Sequence, residues 1–310
     1  MLAACREAAR QARADAPSEL AAAIAGVGLS CPGPVDPMRG VVLEPPNLGP
    51  AFRDVPLAAE LASSERLPAF LDRDTNVAAL GEMAFGAAQG ETDFIYLTVS
   101  TGVGGAIVAG GEIFHGPDGL AGELGHVPVS LDGPRCGCGG IGHVEAYAAG
   151  ISLAREARAL LVADASPFLT TRAREIPGGA DELSAKDVAE GALAGDPACV
   201  TLMDRARRAL AAACVDYVNA FNPHRIVIGG SIAVAEGERL LGPIRAAISS
   251  EAFEVLARHV TVVPAALGGD VSLAGAQPLV MSRLGQSEPP PTVSTRRPAR
   301  PVAVPGGTPA

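Results

Sequence analysis

The densest chemistry in the sequence lies between residues 122 and 145, in GELGHVPVSLDGPRCGCGGIGHVE. His126, Cys136, Cys138 and His143 are four zinc-type ligands separated by ten, two and five positions, with Gly and Pro between them that let the backbone fold around an ion. Two thiolates and two imidazoles make the tetrahedral N/S set that Zn²⁺ takes, with bonds of about 2.0–2.3 Å. The alternative is a Gly-rich loop with two free thiols and two solvated histidines. Glu123 and Glu145 flank the cluster. If an ion pins the loop, both carboxylates become rigidly placed acceptors for substrate hydroxyls; without it they read as solvated charges or helix-start acids.

Three further segments carry chemistry of their own. In LDRDTNVAALGE, Asp74 falls just past a strand at the head of a helix, with Asp72 two residues back. A carboxylate there can reach out as a general base, or simply cap the helix. In YLTVSTGVGGAIV, Ser100, Thr101, Gly102, Gly104 and Gly105 form a tight turn between two apolar strands, where successive backbone N–H groups can meet phosphate oxygens. No GK[ST] follows, so it is not a Walker loop, and a plain hairpin turn accounts for it as well. In FNPHRIVIGGSIAV a strand ends in Gly229-Gly230-Ser231. Small residues at the carboxyl end of a strand let a nucleotide lie against the backbone; they also serve an ordinary turn that needs glycine for its φ angles.

Positioning these groups requires an α/β scaffold, and short apolar runs do alternate with helical stretches along the chain. Expected strands are 26–31, 69–72, 94–100, 105–109, 225–228 and 260–264. Expected helices are 77–88, 144–159, 185–194, 201–221 and 237–250. The helix over 201–221 has the clearest pattern, with Leu202, Ala206, Leu210, Ala213, Tyr217, Val218 and Phe221 on one broad face. The Ala-rich opening, residues 2–14 and 19–25, reads as one helix leading into the first strand. Residues 286–310 hold seven of the 26 prolines and almost nothing that could form a core, and read as a disordered tail.

Composition narrows the function classes. The chain of 310 residues is 48% apolar and 19% charged, which fits a globular protein rather than a disordered chain or a coiled coil. Its net charge of −10 and its only tight Arg groups, at 205, 207 and 208 and at 296, 297 and 300, argue against a nucleic-acid partner. The apolar stretch 20–29 is too short to span a bilayer and lacks signal-peptide flanks, so a cytoplasmic protein without a membrane partner is expected. Of six Cys, only 136 and 138 lie close together, which points to metal or redox chemistry rather than to a disulfide framework.

In order, the segments GVGLSCPGPVD, PPNLG, LDRDTNVAALGE, STGVGG, AGELGHVPV, CGCGGIGHVEAYAAG, NPHRIVIGG and LGGDVSLAGA resemble the ROK (repressor, open reading frame, kinase) family, in particular its glucokinase-like sugar kinases. The resemblance covers about residues 20–285. It implies a two-lobed actin-like ATPase (ribonuclease H-like) α/β fold with a zinc-binding loop: a small lobe over 1–94 completed by 268–285, and a large lobe over 95–267 carrying the loop 123–145. It further implies transfer of the ATP γ-phosphoryl group, with Mg²⁺, to a hexose, glucose first among the candidates. Asp74 would be the base; Asn47, Arg73, Glu123, His126 and Glu145 would hold the sugar. Thr101, Gly102, Gly104, Gly229 and Gly230 would bind ATP. Structural Zn²⁺ would sit on His126, Cys136, Cys138 and His143. A homodimer is a further expectation of the resemblance.

Three departures from the family pattern stand out. Arg73 replaces the usual Asn before the catalytic Asp, and His143 replaces a third Cys, which changes the formal charge of the zinc site from −1 to 0. The D-x-G-G-T phosphate loop that opens family kinases occurs nowhere in the sequence. The expectation is therefore a small lobe without its first strands, from a start placed downstream of them. The alternative is a non-catalytic sugar-binding protein that has lost this loop. A ROK regulator would need a preceding DNA-binding module, for which the sequence shows neither room nor basic charge.

Overall fold

The computed structural model of the chain describes residues 2–285 except 22, 46–48, 50 and 51. Asn47 and the 286–310 tail therefore lie outside the described residues. Helix α1 (Leu2–Asp15) stops two residues before Pro17, whose ring disfavours a helical backbone at Ala16, and a separate short helix α2 (Ser18–Ala21) follows. One continuous helix was the expectation; Pro17 divides it.

Strand β1 (Val27–Cys31) leads to a small antiparallel pair, β2 (Val35–Asp36) and β3 (Val41–Val42), then to α3 (Leu57–Glu65) and β4 (Ala69–Arg73). β1 pairs in parallel with β4, from Val27 opposite Ala69 to Cys31 opposite Arg73, and with no other strand among the described residues. Cys31, Val35, Val42, Leu57, Leu61 and Leu71 bury one another around this pair.

Helix α4 (Asp74–Phe85) follows β4 with no intervening loop, which makes Asp74 its first residue. Next come β5 (Phe94–Val99), β6 (Val103–Ala109) and β7 (Glu112–Ile113), then five helices: α5 (Val144–Ala148), α6 (Gly150–Val162), α7 (Pro167–Glu175), α8 (Ala185–Leu193) and α9 (Pro197–Phe221). The chain closes with β8 (Arg225–Gly229), α10 (Ser231–Glu236), α11 (Glu238–Glu251), α12 (Glu254–Ala257), β9 (Thr261–Pro264) and α13 (Val271–Gly285). Five strands form one sheet in the order β7-β6-β5-β8-β9, with β5, β8 and β9 parallel and β6 and β7 antiparallel.

Side chains alternate across this sheet, as strand geometry requires. Ile95, Leu97, Val99, Ile226 and Ile228 face α9 and its neighbours, while Phe94, Tyr96 and Val227 face Ala78 and Ala79 of α4. With both faces covered, the strands are the near-continuous apolar runs seen in the sequence. Helix α9 starts four residues before the periodic pattern, because the Asp196 carboxylate accepts the N–H groups of Ala198 and Cys199 and Pro197 occupies the first helical position.

The expected helix over 144–159 is two helices. Ala149 is extended, and the next two N–H groups, of Gly150 and Ile151, donate to the carbonyls of Ser100 and Thr101 at 2.8 and 3.2 Å. This contact between distant parts of the chain outweighs the local helical pattern and points the start of α6 at the β5–β6 turn. Helix α7, absent from the sequence expectation, is short and capped by the Ser166 hydroxyl.

Helix α13 returns to pack on α4 and β1 through glycines. A β-carbon at Gly275 would stand 1.8 Å from the Val77 carbonyl oxygen, and one at Gly81 would stand 2.7 Å from the Val271 carbonyl oxygen. The backbones are too close for any side chain, so Gly275→Ala is expected to destabilise the fold by about 3 kcal/mol. Thermal unfolding checks this, and an unchanged midpoint would contradict it.

Candidate active site

Three consecutive polar residues, Asp72 and Arg73 at the end of β4 and Asp74 at the start of α4, each have a different environment. Asp72 is fully buried. Its Oδ1 accepts the Arg73 backbone N–H at 2.7 Å and Asn76 Nδ2 at 2.8 Å, and its Oδ2 lies 2.7 Å from His115 Nε2. Burial alone would raise its pKa; these hydrogen bonds and the His115 partner outweigh burial and hold it below the usual carboxylate range. Asp72 is thus a fixed anion that organises the strand end.

Asp74 is exposed, and its Oδ1 accepts the Thr75 N–H at 2.8 Å. Protein crowding on its other sides raises its pKa above the ordinary Asp value. The nearby Glu123 charge adds to the rise, against the opposing pull of the Thr75 N–H and Arg73. A solvent-reached carboxyl with a raised pKa is a suitable proton acceptor near neutral pH.

Arg73 turns inward. Its Nε donates to Thr75 Oγ1 at 3.0 Å, Nη1 to Glu123 Oε1 at 2.6 Å, and Nη2 to the carbonyls of Gly105 and Ala121 at 2.8 and 2.9 Å. Four of the five guanidinium N–H groups are therefore held by protein oxygens.

Glu123, His126 and Glu145 converge beside this strand end. Tyr217 of α9 donates to the Leu124 carbonyl at 2.6 Å and fixes the single turn that carries Glu123 and His126. Glu145, in the first turn of α5, accepts the Val103 N–H on Oε2 at 3.0 Å, and its Oε1 lies 3.9 Å from His126 Nδ1. Gly102 makes room for it, since a β-carbon there would come within 2.9 Å of Glu145 Oε2. Nε2 of His126 faces Glu123 Oε2 at 3.9 Å.

The four expected metal ligands also meet. One donor atom from each of His126, Cys136, Cys138 and His143 lies within 4.8 Å of the others. His126 Nδ1 is 3.6 Å from Cys136 Sγ, and His143 Nδ1 is 3.2 Å from Cys138 Sγ. Backbone bonds close the loop around them, from Cys136 N to the Gly140 carbonyl and from Val129 N to the Gly142 carbonyl. Separations of this size and a Cys₂His₂ donor set suit one tetrahedral Zn²⁺. The arrangement would use Nδ1 of His126 on the metal and leave Nε2 toward Glu123.

The glycine turns sit at the carboxyl ends of β5 and β8. Gly230 has φ +94, and its α-carbon packs so tightly on Val99 that a β-carbon would fall 2.4 Å from the Val99 carbonyl oxygen. Ser100 and Ser231 share a hydrogen bond of 2.9 Å that joins the two turns. Above them opens a cleft of about 600 Å³, walled by Thr101, Gly150, Ile151, Ala189, Ser231 and Ile232. Its position outside the ends of parallel strands is where open α/β sheets bind nucleotides. Gly104 sits one residue into β6 against the Thr75 side chain, and Gly229 lies against Tyr96 and Ala265. Both glycines thus serve close packing next to the cleft.

A family model described as "ROK family" matches residues 7–283. The chain belongs to the ROK family. A glucokinase of Thermotoga maritima is 35% identical over 259 residues, covering 84% of this chain and 80% of that protein. A solved ROK glucokinase from Streptomyces griseus, in complex with glucose and AMPPNP, is 35% identical, with a TM-score of 0.69 over 84% of this chain and 82% of that one. A solved ROK transcriptional regulator, a homologue of the E. coli MLC protein, is 27% identical, with a TM-score of 0.74 over 91% of this chain and 68% of that one. The fold is thus the α/β fold of ROK sugar kinases, which the family shares with regulators.

In this ROK chain the structure brings together Asp74, Arg73, Glu123, His126, Glu145 and the four ligands, and puts Thr101 in the cleft wall. Sequence reasoning missed His115, which has no motif partner near it in the chain, and the apolar cleft wall, which comes from α6, α8 and α10. No helix among the described residues is long and apolar enough to cross a membrane.

Proposed function

We propose that this ROK protein transfers the γ-phosphoryl group of ATP to a hydroxyl of a hexose, with glucose as the first candidate. The observation that carries the proposal is Asp74, an exposed carboxyl whose pKa is raised by crowding and by the nearby Glu123 of the acceptor cluster. Thr75, next in sequence, packs on Gly104 of the hairpin that carries Thr101 of the cleft wall, which supports reading the base and the cleft as one site. Asn47 is proposed as a further sugar contact from the family resemblance.

In this reading Glu123, His126 and Glu145 hold sugar hydroxyls and aim one at the cleft. The Asp74 carboxylate takes the proton of that hydroxyl as its oxygen bonds to the γ-phosphorus and the bond to the β-phosphate oxygen breaks, releasing ADP. Phosphoryl transfer asks mainly for such positioning, with one base and charge neutralisation. Backbone N–H groups at Thr101 and Gly102 and at Gly229 and Gly230 would hold the nucleotide. Bound Mg²⁺ supplies neutralisation of the phosphate oxygens. Zn²⁺ on His126, Cys136, Cys138 and His143 is proposed as a structural ion that fixes the sugar-holding turn.

The test is a panel of glucose, N-acetylated hexosamines, mannose and fructose with ATP and Mg²⁺, following ADP release. Sugar-dependent ADP, strongest with glucose, is expected. Sugar binding with no ADP for any member would instead favour a non-catalytic sugar-binding protein.

A further inference from the structure

Two adjacent residues of β4 grip both ends of the segment 115–123. Asp72 Oδ2 lies 2.7 Å from His115 Nε2 at its start. At its end, Arg73 donates to the Ala121 carbonyl at 2.9 Å and to Glu123 Oε1 at 2.6 Å. Within the segment, the Ala121 N–H closes on the His115 carbonyl at 2.9 Å, making the whole a fastened loop. Arg73 is 8% exposed and Asp72 1%, so the two gripping side chains are buried, while Glu123 at the outer end stays half exposed. Gly122 completes the fit: at φ +91, a β-carbon there would strike Arg73 Nη2 at 2.5 Å.

We infer that Arg73 is a positioning residue rather than a sugar ligand: with Asp72 and His115 it straps the 115–123 segment to β4, holding one oxygen of Glu123 and presenting only the other, Oε2, to substrate. Four of its five N–H groups are already spent on protein oxygens, which leaves it little capacity to bind a sugar directly. Oε1 of Glu123 is neutralised by the guanidinium, while the carboxylate keeps one acceptor edge beside His126 Nε2. The strap thereby sets the affinity for the hexose. The inference rests on the kinase reading for its kinetic readout, but the strap itself is independent of that reading.

The experiment is a double-mutant cycle between Arg73→Met and Glu123→Gln, with Arg73→Lys and His115→Asn alongside. If Arg73 acts through Glu123, each single variant weakens hexose binding about tenfold, read as KM and as the Kd of the sugar without ATP. The double variant then loses no more than either single one, Arg73→Lys recovers part of the loss, and His115→Asn gives a smaller rise. Multiplying effects of Arg73→Met and Glu123→Gln would overturn the inference, because they would mean independent contacts with the sugar. Hydrogen exchange of the 115–123 amides is read on the same proteins, with or without turnover. Faster exchange there in Arg73→Met, with the α9 amides unchanged, supports the strap, and unchanged exchange refutes it. An inactive wild-type protein with a slow-exchanging 115–123 segment would sink the kinase reading and leave the strap standing.

Discussion

Asp74→Asn is expected to lower kcat for hexose phosphorylation about 10²–10⁴-fold, the usual worth of a positioned general base, while hexose binding and the melting temperature stay near those of the wild type. The isosteric amide can still accept the Thr75 N–H on its oxygen, so the start of α4 need not change. What it cannot do is take the proton of the attacking hydroxyl. The wild-type pH profile should carry the same signature. Below its pKa Asp74 holds a proton and cannot act as a base, so kcat/KM should fall on the acid side, with the inflection above the ordinary Asp value because crowding raises this carboxyl. That acid limb should be missing from the residual activity of Asp74→Asn. A variant that retained wild-type kcat would remove Asp74 from the chemistry altogether.

The second large effect concerns the Cys/His loop. Metal analysis of the purified chain is expected to find about one zinc per protein, and Cys136→Ser to lose it together with several kcal/mol of stability, since binding energy at a structural site is folding energy. Cys136 is the most enclosed of the four ligands, only 5% exposed, so its loss leaves a buried hydroxyl where the set closes. The consequence should reach the sugar side. His126 belongs to both the ligand set and the acceptor cluster, and Glu145 Oε1 lies 3.5 Å from Cys136 Sγ. A strong chelator should therefore raise the hexose KM as well as lower the melting temperature. A protein that carries no zinc as purified and is indifferent to chelation would overturn this part of the account.

The site was legible in the sequence to the extent that it was local. Four ligands within eighteen residues, with glycine and proline between them, announce themselves by spacing, and the structure does bring their donor atoms together. Asp74 was readable as an outward carboxyl because it directly follows a strand, though nothing local separated base from cap. Arg73 shows where such reading stops. On the page it is a long cation beside an acid, yet in the fold it turns inward because the carbonyls of Gly105 and Ala121, far along the chain, need donors. The same holds for the break at Ala149, set by the Ser100 and Thr101 carbonyls, and for the cleft wall, where Ile151, Ala189 and Ile232 meet from three separate helices. The six expected strands lie within two residues of β1, β4, β5, β6, β8 and β9, whereas the two-residue strands β2, β3 and β7 are too short to leave an apolar run and were missed. The helix boundaries slipped wherever a cap or a proline decided them.

The central claim is that the acceptor cluster and the cleft belong to one phosphoryl-transfer site. Phosphorus-31 NMR of the purified chain with ATP, Mg²⁺ and glucose measures this most directly. The γ-phosphorus signal is expected to be replaced by that of a sugar phosphomonoester, with ADP formed in equal amount. Loss of the γ-phosphoryl group to inorganic phosphate alone, or intact ATP beside a saturated sugar site, would contradict it.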